Sequence, residues 1–180
     1  MKILITGSSG FIGFHLSKLL LEKGNNVHGI DSMNNYYDVS LKKARLKILL
    51  KYKKFSFSKT NLENNKKIEY IFKKFKPKIV IHLAAQAGVR YSIDKPRVYL
   101  KSNIDGTFNV MESSHKFKVN HLIMASSSSV YGANKKIPFK EIDKTETQLS
   151  IYASTKKANE SMAHSYSNIW NLPITMLRFF

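Results

Sequence analysis

The 180-residue chain predicts an α/β fold: one domain, residues 1–180, built as a doubly wound parallel sheet. Three observations lead there. Short apolar runs alternate with longer segments whose apolar residues recur every three or four positions. The alternation yields six strands with helices between them, the pattern of right-handed βαβ units. A glycine-spaced turn, Thr6-Gly7-Ser8-Ser9-Gly10-Phe11-Ile12-Gly13, joins the first strand to the first helix.

In chain order, Lys2–Thr6 reads as a strand and Phe11–Lys23 as a helix with Leu16, Leu19 and Leu20 on its apolar face. Asn26–Ile30 is the second strand, Asp38–Lys51 a helix, Lys54–Lys59 the third strand and Leu62–Phe75 a helix. Lys78–Leu83 is the fourth strand, followed by one long helix, Pro96–Lys118. Asn120–Ala125 is the fifth strand, and a polar loop then runs to about Ser150. Ile151–Trp170 is helical, and the apolar run Ile174–Phe180 reads as a sixth, buried strand. No repeat, linker or low-complexity tract interrupts the series. In such a sheet, ligands gather beyond the carboxyl ends of the strands.

Composition narrows the chemistry. There are no cysteines, so neither a disulfide scaffold nor thiolate chemistry is available. The six histidines do not fall at metal-ligand spacing, and no metal site is expected. No signal peptide is read at the N-terminus and no apolar run approaches bilayer length, so a cytoplasmic protein is expected. The formal charge of +18 raises the question of nucleic acid. The lysines are scattered through every segment among many asparagines, and arginine occurs only four times. A Lys/Asn-rich coding bias accounts for that pattern, and neither nucleic acid nor membrane is expected as the main partner.

The glycine turn carries the first functional reading. Gly7, Gly10 and Gly13 allow a tight turn, close backbone approach to a pyrophosphate and close helix–strand packing. The helix N-terminus adds free N–H groups and the positive end of the helix dipole. An ordinary Gly-rich turn is the plain alternative. Asp31 ends the second strand eighteen residues after Gly13. A carboxylate there can accept both ribose hydroxyls and repels a 2′-phosphate, which favours NAD over NADP.

Tyr152 and Lys156 lie four apart at the start of a helix, hence on one face. A free phenol titrates near 10, and a nearby ammonium favours the phenolate. Such a tyrosine can exchange a proton with an alcohol or ketone. One strand earlier, Ser126-Ser127-Ser128-Ser129-Val130-Tyr131-Gly132 offers hydroxyls that could bond the same oxygen. Taken singly, these are a helix surface pair and a Ser-rich loop. Their order along the chain is what gives them weight.

With these residues in view, the chain resembles the extended short-chain dehydrogenase/reductases, and within them the nucleotide-sugar epimerases. TGSSGFIG, HLAAQAGVRYSIDKP, SNIDGTFNVME, ASSSSVYG and YASTK all fall in the family's order. GIDSMNNYYDVSLKKARL is similar to the UDP-glucuronate 4-epimerase branch. The resemblance implies a Rossmann-type NAD-binding domain. It makes Tyr152 the acid/base, Lys156 the group that lowers its pKa and holds the nicotinamide ribose, and Ser127 the aid at the sugar's 4-hydroxyl. Phe11 and Ile12 would cover the pyrophosphate, and Leu83, Ala84 and Ala85 would line the cofactor, with Asn103 nearby. Asn61, beside Leu62, stands where the family usually has an acid that binds adenine. Sugar 4,6-dehydratases of the family carry an Asp-Glu pair where this chain has Ser128 and Ser129, so elimination lacks its acid and base. Arg90 would face the sugar nucleotide and could meet a phosphate or carboxylate; an arginine bonding loop carbonyls is the other reading.

The implied reaction is an epimerisation of a UDP-sugar, a uronic acid, through a transient 4-keto sugar, with NAD regenerated in each cycle. The resemblance also implies a homodimer through helices 96–118 and 151–170. In the family the last aromatic of the sixth strand, here Phe180, reaches the nicotinamide end, and a smaller substrate-binding domain follows. The expectation is therefore a cofactor domain without that second domain, binding NAD weakly and not epimerising alone. A non-catalytic NAD-binding fragment, or another NAD-dependent sugar-nucleotide epimerase or dehydratase, is the alternative.

Overall fold

Strand β1 (Lys2–Thr6) shows why the sheet lies at the centre of the molecule. Ile3 and Ile5 enter one buried cluster, while Leu4 between them enters another. Successive side chains of a strand point to opposite faces, so both faces must be covered. The structure, a computed structural model, describes residues 1–180.

The remaining strands are β2 (Asn26–Asp31), β3 (Phe55–Lys59), β4 (Ile79–His82), β5 (His121–Ser127) and β6 (Ile174–Phe179). They form one six-stranded sheet in the order β3-β2-β1-β4-β5-β6, and every neighbouring pair is parallel. The doubly wound prediction holds. β1 sits between β2 and β4, so the chain leaves it on one side and returns on the other. That reversal opens a crevice at the carboxyl ends of β1 and β4.

Helices α1 (Phe11–Glu22) and α2 (Val39–Leu49) cover one face, where Phe14, Leu21 and Leu49 meet Ile3, Ile5, Val27 and Ile81. Helices α3 (Asn65–Phe75), α6 (Gly106–Lys116) and α7 (Ile151–Trp170) cover the other, with α4 (Tyr91–Asp94) and α5 (Pro96–Tyr99) preceding α6. On α3, Ile68, Ile71 and Phe72 are three and four apart and fully covered. Each such side chain contributes roughly 1.5–3 kcal/mol on burial. Asp38, Asn64 and Ser150 cap α2, α3 and α7 by accepting N–H bonds at 2.7, 3.1 and 3.1 Å.

Four expectations are corrected. The sixth strand, expected to be buried, is the edge strand of the sheet, and none of Ile174–Phe179 is fully buried. The predicted helix 96–118 is one rod with a changed pitch: Leu100–Asp105 adopts the π form between α5 and α6. The wider turn carries Asn103 to a fully buried position. On α1 the buried face is Gly13, Phe14, Ser17 and Leu21, with Leu16 and Leu20 at its edge and Leu19 half exposed. Gly13 lies where α1 meets the turn after β1, where a Cβ would collide with the Gly7 carbonyl oxygen. Finally, α3 begins at Asn65, not Leu62, because Asn64 caps it.

Candidate functional site

The crevice between the loops after β1, β2, β3 and β4 is a cleft of about 310 Å³. Gly7, Gly10, Asp31, Asn61, Leu62, Leu83, Ala84 and Ala85 all line it. Eight residues singled out from the sequence thus converge on one cavity.

The glycine loop is built for close approach. Gly7 has φ +73° and donates to the Ile30 carbonyl at 2.7 Å, while its own carbonyl accepts the Gly10 N–H at 2.9 Å. A Cβ on Gly7 would lie 2.9 Å from the Ala84 nitrogen. A Cβ on Gly13 would collide with the Gly7 carbonyl oxygen, so α1 rests directly on the turn. Gly10 is the N-cap of α1 and has no side chain to satisfy the helix's first amides. The N–H groups of Phe11 and Ile12 precede the first intrahelical bond, Phe14 N–H to the Gly10 carbonyl at 3.0 Å. They remain available to an anion. This cradle fits a pyrophosphate.

Asp31 fixes the ribose corner. Its carboxylate accepts the Ser9 N–H at 3.1 Å and the Met33 N–H at 2.8 Å, which orients it and leaves lone pairs for hydroxyl donors. The same corner holds Tyr36, Tyr37, Lys42 and Glu63, which sequence reasoning did not single out. Glu63 brings a carboxylate to the cleft two residues beyond Asn61.

Ser127, Tyr152 and Lys156 stand at the end of β5 and the start of α7. The Lys156 ammonium is buried and donates to the Ala125 carbonyl at 2.8 Å. Burial without a carboxylate partner pulls its pKa down to about 8. Ser127 closes the strand: its Oγ accepts the Ser129 N–H and donates to the Ser129 Oγ, both at 3.2 Å. Ser128–Tyr131 forms a single 3₁₀ turn after it. Tyr152 is half-buried, its ring set edge-on to Tyr99 at 6.1 Å, and its hydroxyl makes no bond within the chain.

Buried polar side chains hold this helix against the crevice. Asn103 accepts the Gln86 N–H at 2.7 Å, donates to the Gln86 carbonyl at 3.0 Å and donates to Thr155 Oγ1 at 3.1 Å. The Thr155 hydroxyl in turn donates to the Tyr152 carbonyl at 2.8 Å. Asn103 therefore ties the wall of the cleft to the tyrosine's own turn. His82 sits fully covered between Thr6 Oγ1 at 2.7 Å and Thr107 Oγ1 at 2.9 Å. The Ala84 N–H already donates to Thr6 Oγ1, so the network assigns a Thr6 proton to Nδ1 and an Nε2–H to Thr107. Burial first, and the Lys156 charge second, hold its pKa down to about 3.

Two predicted residues stand apart. Arg90 is exposed, precedes α4 and makes no side-chain hydrogen bond within the chain. Phe180 is 88% exposed and lines a second depression with Tyr131, Phe139, Glu160 and Arg178, away from the glycine cleft. There Glu160 takes Arg178 in a two-pronged pair at 2.9 and 2.9 Å and accepts the Ser126 hydroxyl at 2.6 Å. Burial alone would raise the Glu160 pKa; the Arg178 and Ser126 bonds bring it below the ordinary carboxylate value. No group of three or more His, Cys, Asp or Glu residues is placed to hold a metal ion, and no helix is long and apolar enough to cross a membrane.

Comparison with known proteins gives consistent matches. Residues 4–180 match the family described as GDP-mannose 4,6 dehydratase. The chain is 55% identical over 180 residues to Protein CapI of Staphylococcus aureus, covering all of this chain and 54% of that protein. It is 45% identical over 180 residues to a probable UDP-glucuronate 4-epimerase of Rhizobium meliloti, covering all of this chain and 53% of that one. The crystal structure of UDP-glucuronic acid 4-epimerase from Bacillus cereus, in complex with UDP-glucuronic acid and NAD, superposes with a TM-score of 0.92 at 34% identity, covering 100% of this chain and 56% of that one. The chain thus spans about half the length of the curated relatives it matches.

Proposed function

We infer that this chain, which belongs to the extended short-chain dehydrogenase/reductases and to their family described as GDP-mannose 4,6 dehydratase, is the NAD-binding and proton-transferring part of a UDP-sugar 4-epimerase of the UDP-glucuronate type. The observation that carries the reading is the convergence in one fold of the pyrophosphate cradle, the Asp31 corner and the Ser127–Tyr152–Lys156 set. Relatives named UDP-glucuronate 4-epimerase support the substrate class. A dehydratase is disfavoured by Ser128 and Ser129, which offer hydroxyls where elimination needs a carboxylic acid and a base.

Bound NAD would supply reversible hydride transfer at the sugar's C4. The chain's own residues do the rest. Gly7, Gly10 and the amides of Phe11 and Ile12 hold the pyrophosphate, and Asp31 accepts the ribose hydroxyls. Tyr152, whose hydroxyl is uncommitted, exchanges the proton of the 4-hydroxyl. Ser127 bonds the same oxygen, and Lys156, one helical turn along from Tyr152, brings its buried ammonium to the carboxyl end of β5. Arg90, free of intramolecular partners, is available to a phosphate or a uronic carboxylate.

We also assign to the complete protein a cytoplasmic place of action and a dimer through residues 96–118 and 151–170. These segments carry Leu100, Phe108, Ile151 and Trp170 exposed by 50, 44, 42 and 43%. Sedimentation that finds only monomer at micromolar concentration refutes the dimer. For the cofactor site, calorimetric titration with NAD should saturate, and Gly10→Val should abolish it; absence of heat at millimolar NAD refutes the reading. For the reaction, which residues 1–180 are not expected to complete alone, conversion of UDP-glucuronate to its 4-epimer by this chain joined to the remaining half of a relative should vanish in Tyr152→Phe while NAD binding persists. Turnover retained by that variant removes Tyr152 from the mechanism.

A further inference from the structure

Tyr36 reaches across the mouth of the cleft. It belongs to the loop after β2 and lines the cleft. Its hydroxyl stands against Gly88, in the loop after β4: a Cβ built on Gly88 would collide with that oxygen and lie 3.7 Å from Tyr36 Cζ. Its ring also packs on Tyr91, which opens α4, with centroids 5.2 Å apart and planes inclined by 52°. β2 and β4 are not neighbours in the sheet, because β1 lies between them. Adjacent strands lie about 4.8 Å apart, so the two loops start roughly 10 Å apart, one on each side of the glycine turn that follows β1. A side chain that joins them passes over whatever rests on Gly7 and Gly10.

Both ends of this bridge are fixed by covered groups. On the near side Lys42, 5% exposed, donates to the Asn34 carbonyl at 3.0 Å and to Asn34 Oδ1 at 2.8 Å. The same Oδ1 accepts the Tyr36 N–H at 3.4 Å. No carboxylate lies within ion-pair distance of Lys42, so its ammonium serves the loop that carries Tyr36. On the far side Tyr99 is fully covered, and its hydroxyl is shared between the Ala87 and Gly88 carbonyls at 2.7 and 2.5 Å. Asn103 holds the adjoining Gln86 through both backbone groups. The span itself is two aromatic rings, Tyr36 and Tyr91, exposed by 43 and 36%. Exposed side chains change rotamer readily, whereas the covered supports do not.

Building on the dinucleotide-site reading, we propose that Tyr36 is a gate over the pyrophosphate cradle. Closed, it rests on Gly88 and Tyr91; it must swing off them for a dinucleotide to enter or leave. Tyr91, which does not line the cleft, is the latch. A gate that is closed with or without ligand slows entry and release alike and leaves affinity nearly unchanged. A residue that merely touches the ligand acts on release alone.

The test is stopped-flow fluorescence with NADH: association on mixing with the 180-residue chain, and release on chasing with excess NAD. An aromatic pair favours the closed form by about two- to tenfold. Tyr91→Ala should therefore speed association and release together by about two- to tenfold, with Kd nearly unchanged. Tyr36→Ala should speed both at least as much. Tyr36→Phe keeps the ring on Tyr91 and should keep the wild-type rates. Unchanged rates in both alanine variants, or faster release with unchanged association, would overturn the gate and leave the dinucleotide site standing. Failure of the wild type to bind NADH would overturn the site itself, and the gate with it.

Discussion

Replacing Gly13 by alanine tests whether the glycine spacing is read correctly. In an ordinary helix the change would help, since alanine is favoured over glycine by about 1 kcal/mol. Here the new methyl collides with the Gly7 carbonyl oxygen and lies 2.8 Å from the Gly7 carbonyl carbon and 3.0 Å from Ser8 Cα. All three are backbone atoms, so no side chain can swing away. Gly7 is also held by its bonds to Ile30 at 2.7 Å and from Gly10 at 2.9 Å. Relief requires α1 to lift off the turn. Overpacking of this kind costs about 1–3 kcal/mol, and weakening one of the two backbone bonds adds about 1. After the helix-propensity gain, the net loss is about 1–3 kcal/mol. For a domain of this size that lowers Tm by roughly 2–12 °C. Gly10→Ala is the control: its Cβ meets Gly7 O at 3.1 Å, and its φ of −72° suits any residue. Thermal melts followed by circular dichroism should place Gly13→Ala clearly below Gly10→Ala. Coincident melts would mean that α1 does not rest on the turn as described.

Three further outcomes follow from buried polar groups. His82 titrates near 6.5 when unfolded and is held at about 3 in the fold, so its share of stability is whole above pH 6.5 and is lost as pH falls toward 3. The loss is up to about 1.4 kcal/mol per pH unit; melts from pH 7.5 to 5 should be less pH-dependent in His82→Gln, and an unchanged slope refutes the assignment. Lys156 is held at about 8 against 10.5, so burying its charge costs stability fully below pH 8 and progressively less up to 10.5. Lys156→Met should melt no lower than wild type at pH 7 while losing NAD affinity, a trade expected of a functional buried charge; a lower Tm with unchanged NAD affinity refutes it. Glu160→Gln breaks the charged pair with Arg178, whose side chains are 10 and 20% exposed, and should cost about 1–3 kcal/mol in urea unfolding; a midpoint within error of wild type refutes it.

What could be read in the sequence was what local pattern dictates. α7 runs over the predicted Ile151–Trp170, because Ser150 caps its start and Asn171 turns left-handed after its end. The crevice residues Gly7, Asp31 and Leu83 were legible because parallel βαβ topology sends every strand's carboxyl end to one rim. Three features were not legible, each for a tertiary reason. The π segment exists because Asn103 turns inward to Gln86, seventeen residues upstream, and apolar periodicity carries no trace of that bond. Leu19 points outward because the buried face of α1 is the line Gly13, Phe14, Ser17 and Leu21, with Gly13 resting on the Gly7 turn. Lys42 sits in a Lys-Lys-Ala-Arg run that reads as a solvated face, and only Asn34 in the preceding loop explains its burial.

The placement of the proposed catalytic set follows from one helical face. Tyr152, Thr155, Lys156 and Asn159 recur on α7 at the spacing that stacks side chains along one side. Two of them belong to the proposed chemistry and two to the clamp. Thr155 joins Asn103, and Asn159 reaches Thr107 at 3.5 Å, which also accepts from His82. Because the clamps alternate with the reactive groups, Tyr152 and Lys156 cannot shift relative to the cleft without breaking bonds that are fully covered. A covered polar group that loses its partner costs about 1–3 kcal/mol. The geometry is therefore fixed by the fold before any ligand enters, which is the condition under which a positioned phenol gains most from proximity.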